Sequence, residues 1–96
     1  MQYYDMKETG KRILSLRQEN GMTQTQFAKL FAVQRNQIGK IERGVGGMSI
    51  DLAVAIASEF QVSLDFLLMG KETKADLMKN QIYSLIEDLE EVAEML

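Results

Sequence analysis

The sequence contains no cysteine, no histidine, no proline and no tryptophan. Without cysteine there are no disulfides, no thiolate metal sites and no thiol nucleophile, a composition suited to a reducing compartment. Without histidine the chain lacks the commonest metal ligand and the commonest general base near neutral pH. Catalysis would have to rest on carboxylates, lysine or serine alone. No catalytic dyad or metal cluster can be assembled from them, so the expectation is a protein that is not an enzyme and has no cofactor and no metal. Long apolar runs are missing too. The longest, Leu52 to Ala57, has six residues, against about 20 for a membrane-spanning helix. Met1-Gln2-Tyr3-Tyr4-Asp5-Met6 has neither the basic start nor the apolar run of a signal peptide. These absences point to a cytoplasmic protein with no membrane partner.

What is present is ordinary in amount and uneven in placement. The 96 residues are 46% apolar and 26% charged, the composition of one globular domain. The net charge of −3 conceals a division. Residues 1–45 carry eight Lys/Arg and four acids, a balance of +4, whereas residues 46–96 carry three lysines and ten acids, a balance of −7. Such asymmetry directs attention to a polyanion-facing surface in the basic half.

The hydrophobic periodicity is helical throughout, and no alternation of β-branched residues lasts long enough for a strand. A first helix fits residues 5–19, with Met6, Gly10, Ile13, Leu14 and Arg17 on one side and Asn20-Gly21 as its stop. Thr23 is placed to cap a short second helix, and Gln26 three residues later completes a capping box. Phe27, Ala28, Leu30 and Phe31 form the apolar face of this helix. Ala32-Val33 makes a tight connection to a third helix, residues 34–43, closed by Gly44. In and beside it only Val33, Ile38 and Ile41 are large and apolar. Gly44-Val45-Gly46-Gly47 is a loop, not a phosphate-binding loop, since no Gly-Lys-Ser/Thr follows. Ser49 caps a fourth helix to Phe60 that is apolar on nearly all sides and so central to the core. Ser63 caps a fifth, residues 64–69, ended by Gly70. Phe27, Phe31, Phe60 and Phe66 fill the core.

Beyond residue 70 the character changes. Ala75, Met78, Ile82, Leu85, Leu89, Val92 and Leu96 are spaced alternately three and four apart, a coiled-coil seam held for about three heptads. Ile86 and Ala93 widen the stripe, and Glu87, Asp88, Glu90 and Glu91 give the helix a solvated face. The seam either packs back on the chain's own domain or on a second copy. The second reading is favoured, because a domain already closed by five helices has little spare apolar surface. The division expected is therefore 1–70 for one compact domain and 71–96 for a helix that dimerises through Met78, Ile82, Leu85, Leu89, Val92 and Leu96.

A helix, a short turn and a second helix with a bare polar face form the pattern of a helix-turn-helix. The second helix must present small or hydrogen-bonding side chains to a major groove. Arg35, Asn36, Lys40 and Arg43 fit that need, the last three recurring at i, i+4, i+7 away from Ile38 and Ile41. Arginine pairs bidentately with guanine, and asparagine or glutamine with adenine.

The stretch MTQTQFAKLFAVQRNQIGKIERG resembles the phage repressor/Cro family of helix-turn-helix regulators, the xenobiotic-response-element type, and IDLAVAIASEFQVSLDFLLMG is similar to that family's fourth and fifth helices. The resemblance covers residues 7–70 and implies an all-α, five-helix lambda-repressor-like DNA-binding domain, here followed by a C-terminal amphipathic helix. It implies base contacts from Gln34, Arg35, Asn36, Gln37 and Lys40. Backbone contacts are implied for Thr23, Gln24 and Arg43, and a structural ion pair for Arg17 with Glu42. Three departures stand out: Ala32 occupies a turn position where the family usually has glycine, Gly39 replaces a serine or other helix former, and no proline opens the fourth helix. The function so implied is a transcriptional regulator, a repressor bound as a homodimer to a palindromic operator in double-stranded DNA. The alternative is an antitoxin-like or regulatory module whose last helix binds a heterologous protein.

Overall fold

A computed structural model of the chain describes residues 4–71 and 74–96; Met1-Gln2-Tyr3 and the side chain of Ala75, both read above, lie outside what it describes. The described residues are all-helical: α1 (Met6–Glu19), α2 (Gln24–Leu30), α3 (Arg35–Glu42), α4 (Ile50–Glu59), α5 (Leu64–Met69) and α6 (Lys74–Met95). No helix among them is long and apolar enough to cross a membrane.

Helix starts follow local chemistry. Asp5 Oδ1 accepts from the Lys7 amide at 3.0 Å, and Ser49 and Ser63 Oγ accept from Leu52 and Phe66 at 3.1 and 3.0 Å. The capping box of α2 is closed in both directions, Gln26 N–H to Thr23 Oγ1 at 3.1 Å and Thr23 N–H to Gln26 Oε1 at 2.8 Å. Helix ends are as regular. After α2 the amides of Ala32 and Val33 donate to the carbonyls of Lys29 and Ala28, and after α4 those of Gln61 and Val62 donate to Ser58 and Ala57. This paired pattern is the Schellman motif, which needs a left-handed residue at its hinge. Ala32 and Gln61 both adopt it at φ 54° although neither is glycine.

Each of the first five helices contributes a fully buried side chain to one core: Ile13, Phe27, Ile38, Ile56 and Leu67. The Phe27 ring lies 4.9 Å from that of Phe31 and stacks at 5.7 Å on Phe60. α1 binds the assembly together. Its Gly10 lies so close to the end of α3 that an added Cβ would meet the carbonyl oxygens of Ile41 and Glu42 at 2.3 and 2.7 Å. Arg12 Nη1 donates to the Leu67 carbonyl at 3.1 Å, supplying one of the unpaired carbonyls at the end of α5.

Three sequence expectations need correction. α1 buries Thr9, Gly10, Ile13 and Leu16, not Met6, because the packed stripe is rotated toward α3 and α5. α2 stops at Leu30, which is exposed, so Phe27 and Ala28 carry its buried face. α4 is not surrounded by core. It buries Leu52, Ala53, Ile56 and Ala57 while Ile50 is 82% exposed and Val54 43%. An apolar residue at every turn is not evidence of burial at every turn, since much of any folded surface is apolar.

On α6 the seam residues Met78, Ile82, Leu85, Leu89, Val92 and Leu96 are all at least 53% exposed. Among the described residues, α6 is tied to the earlier helices by a hydrogen bond from Lys79 Nζ to the Gln61 carbonyl at 3.3 Å.

Candidate nucleic-acid interface

The site is built on α2, its turn and α3. The turn runs from Phe31 through the left-handed Ala32 and half-buried Val33 to Gln34, which holds the N-cap position of α3 without a side-chain capping bond. Ile38 and Ile41 anchor α3 in the core, so the opposite arc of the helix is open.

Beneath that arc lies a buried polar junction. Glu42 is paired with Arg17, whose Nε donates to Oε2 at 2.6 Å and whose Nη2 donates to Oε1 at 3.1 Å. Arg17 Nη1 also reaches the Met22 carbonyl at 2.9 Å. The same carboxylate accepts from Gln24 Nε2 at 2.9 Å. α1, α2 and α3 therefore meet at Glu42, and the first residue of α2 is held in register with the last residue of α3. A two-pronged guanidinium–carboxylate contact fixes orientation as well as distance.

At 100° per residue, the arc away from Ile38 and Ile41 divides into stripes, all exposed except Gly39, which is buried. Arg35, Gly39 and Arg43 follow one another at i, i+4, i+8. The second stripe is Asn36 and Lys40, and Gln37 lies beyond. Arg43 sits past the helix end as its C-cap. Its Nη1 lies 3.1 Å from where a Cβ on Gly39 would stand, and Gln24 Nε2 and Oε1 lie 3.8 and 3.9 Å from the same point. The sequence grouped Arg43 with Asn36 and Lys40; in the structure its guanidinium instead lies over Gly39, a point that the Gln24 amide also approaches. On the far side Gln34, Asn36, Gln37 and Lys40 line a shallow groove with Gly46 and Gly47. A Cβ on Gly46 would stand 2.9 Å from that of Lys40. Thr23 is exposed at the head of α2, its hydroxyl engaged in the capping box.

The charges on this surface are unneutralised. Lys11 is paired with Glu8 and Arg17 with Glu42. Among the described residues, Arg35, Lys40 and Arg43 take part in no ion pair or side-chain hydrogen bond, and the acid of α3, Glu42, is buried. Three free cations interleaved with Asn36, Gln34 and Gln37 make a surface for phosphate and base edges. Sequence reasoning missed two contributors to this site, the Gln24–Glu42 bond and the Gly46-Gly47 wall, and singled out Gly39 without showing that it is buried beneath the side chains of Gln24 and Arg43. Each depends on which segments approach in space, and no local spacing encodes that.

This architecture is that of a DNA-binding helix-turn-helix regulator. The chain belongs to the helix-turn-helix family, which it matches over residues 13–67, and within it to the phage repressor/Cro-type regulators. It is 28% identical to the HTH-type transcriptional regulator ImmR of Bacillus subtilis over 85% of its own length and 68% of that protein. It is 37% identical to the antitoxin PezA of Streptococcus pneumoniae over 56% of its length, spanning only 34% of the antitoxin. Its fold matches the phage P22 c2 repressor in complex with a synthetic operator at a TM-score of 0.62 and 27% identity, covering 66% of this chain and 96% of that one.

Proposed function

We propose that the chain is a sequence-specific transcriptional repressor that binds a palindromic operator as a homodimer, with α3 in the major groove. The observation that carries this reading is the unpaired set Arg35, Lys40 and Arg43 beside Asn36 and Gln37 on the open arc of α3. Arg35 and Asn36 read base edges, with Gln34, Gln37 and Lys40 beside them. Thr23, Gln24 and Arg43 hold the phosphates. Residues 1–70 bind DNA, and residues 71–96 pair two chains through Met78, Ile82, Leu85, Leu89, Val92 and Leu96. Pairing sets the two recognition helices about 34 Å apart, one turn of the duplex. Acting on DNA, the protein works in the cytoplasm. Selection of bound sequences from a random duplex pool tests the proposal. It should return an inverted repeat whose half-site centres lie about 10 base pairs, or a multiple, apart, and an asymmetric single half-site would refute the dimer.

A second reading, in which α6 takes a heterologous protein and DNA binding is autoregulatory, is favoured by the 37% identity to an antitoxin. Sedimentation of the pure chain separates the two: a dimer that becomes monomeric when truncated after Gly70 supports self-pairing, and a full-length monomer supports the heterologous partner.

A further inference from the structure

Gly39 is the residue of α3 whose identity the backbone does not explain. It lies inside the helix, outside the positive-φ positions that favour glycine, and a glycine there destabilises a helix relative to alanine. Nor is it required by a close backbone crossing of the kind seen at Gly10. The atoms nearest its absent Cβ belong to two side chains: Arg43 Nη1 at 3.1 Å, and the Gln24 amide at 3.8 and 3.9 Å. Gln24 is itself fixed, since one N–H of its amide is committed to Glu42. Arg43 is free of partners among the described residues, so its position depends on the surface it lies over.

We propose that Gly39 is a positioning residue: by presenting no side chain, it lets the Arg43 guanidinium lie back along α3 beside the Gln24 amide, so that the two contact one phosphate. This rests on the DNA-binding reading above. The guanidinium supplies a planar fork of donors matched to phosphate oxygens, and the amide supplies its remaining N–H. Without this floor, Arg43 swings away from α2, and the fixed amide and the mobile cation no longer share a ligand. A methyl group at position 39 therefore has two opposed consequences. The helix gains stability, and the phosphate contact is lost.

The test is Gly39→Ala, measured by thermal melting and by fluorescence anisotropy on a labelled mixed-sequence duplex over a range of salt. The variant should melt at a higher temperature yet bind about five-fold more weakly, with the log–log salt slope reduced by about 0.9, the value of one phosphate contact. In an Arg43→Ala background, Gly39→Ala should cause no further loss of affinity while still raising the melting temperature. Unchanged binding by Gly39→Ala, or an equal loss in both backgrounds, overturns the proposal, because the glycine would then not act through Arg43. If the wild-type chain fails to bind the duplex at all, the DNA-binding reading falls and this inference with it.

Discussion

Up to Gly70 every helix places a large side chain in the common core, and the buried polar groups are paired; in α6 every described seam residue is more than half exposed. Both regions have apolar stripes of good helical periodicity, so the periodicity does not separate them. They differ in what the stripe faces. In the first region it enters one shared core, whereas in α6 the described seam residues stay more than half exposed. The first region thus buries its stripes within one core, and the proposed pairing of two chains would cover the stripe of α6. The largest test of that contrast is Gly10→Val. Its side chain would collide with the backbone carbonyls of Ile41 and Glu42, which cannot move aside without separating α1 from α3. A loss of about 4 kcal/mol or more is expected, read as the disappearance of the cooperative thermal transition. A near-native melt would mean that the α1–α3 crossing yields.

The counterpart on α6 is Leu85→Asp. At 61% exposure Leu85 has little to lose in an isolated chain, so the melting temperature at high dilution should barely change. Self-association should be lost, and with it the linkage between two half-sites, weakening operator binding by about 100-fold or more. Analytical ultracentrifugation and operator titration together check it. A drop in melting temperature at every concentration would show that the seam packs within its own chain.

The third effect lies at the junction that carries the candidate site. Glu42→Ala leaves Arg17 largely buried without its carboxylate and releases Gln24. The expected cost is about 2–3 kcal/mol in denaturant unfolding, from stranding one member of a buried pair. If the cost is below about 0.5 kcal/mol, the pair behaves as an exposed one and the three helices are not held through Glu42.

Much of this was readable from residue order, for a physical reason. Caps are local: Thr23 with Gln26, Ser49 and Ser63 act within three residues, and Gly70 ends α5 at φ 71°. Ile13, Phe27 and Ile38 follow the helical repeat, which is also local. Depth within the fold is not. Ile50 and Val54 belong to the same apolar helix as Leu52 and Ile56, and only the packing of the other helices around α4 decides which pair is covered. Likewise the spacing of Asn36, Lys40 and Arg43 gave a common arc. The Arg43 guanidinium instead lies over Gly39, a point that Gln24 from another helix also approaches. α6 was legible as a seam, but a heptad specifies the shape of a partner and not its identity.

The smallest effect asks whether the first region is as finished in its turns as in its core. Ala32 and Gln61 sit in left-handed conformation at φ 54°, and Gly21 holds the same place after α1 at φ 65°. For a residue with a Cβ this conformation costs about 1–2 kcal/mol. Replacing it with glycine also widens the unfolded ensemble, which returns about 0.4–1 kcal/mol. Ala32→Gly should therefore stabilise the chain by about 0.5 kcal/mol, a rise of about 2–4 °C in Tm. Gly21→Ala should do the reverse by a similar amount, and nothing lies within 4 Å of the added Cβ to complicate the reading. Equal and opposite shifts would show that the cost belongs to the turn conformation alone. If Ala32→Gly instead destabilises, the Ala32 methyl contributes more at the bend between α2 and α3 than the strain it carries, and the turn is as closely fitted as the core beneath it.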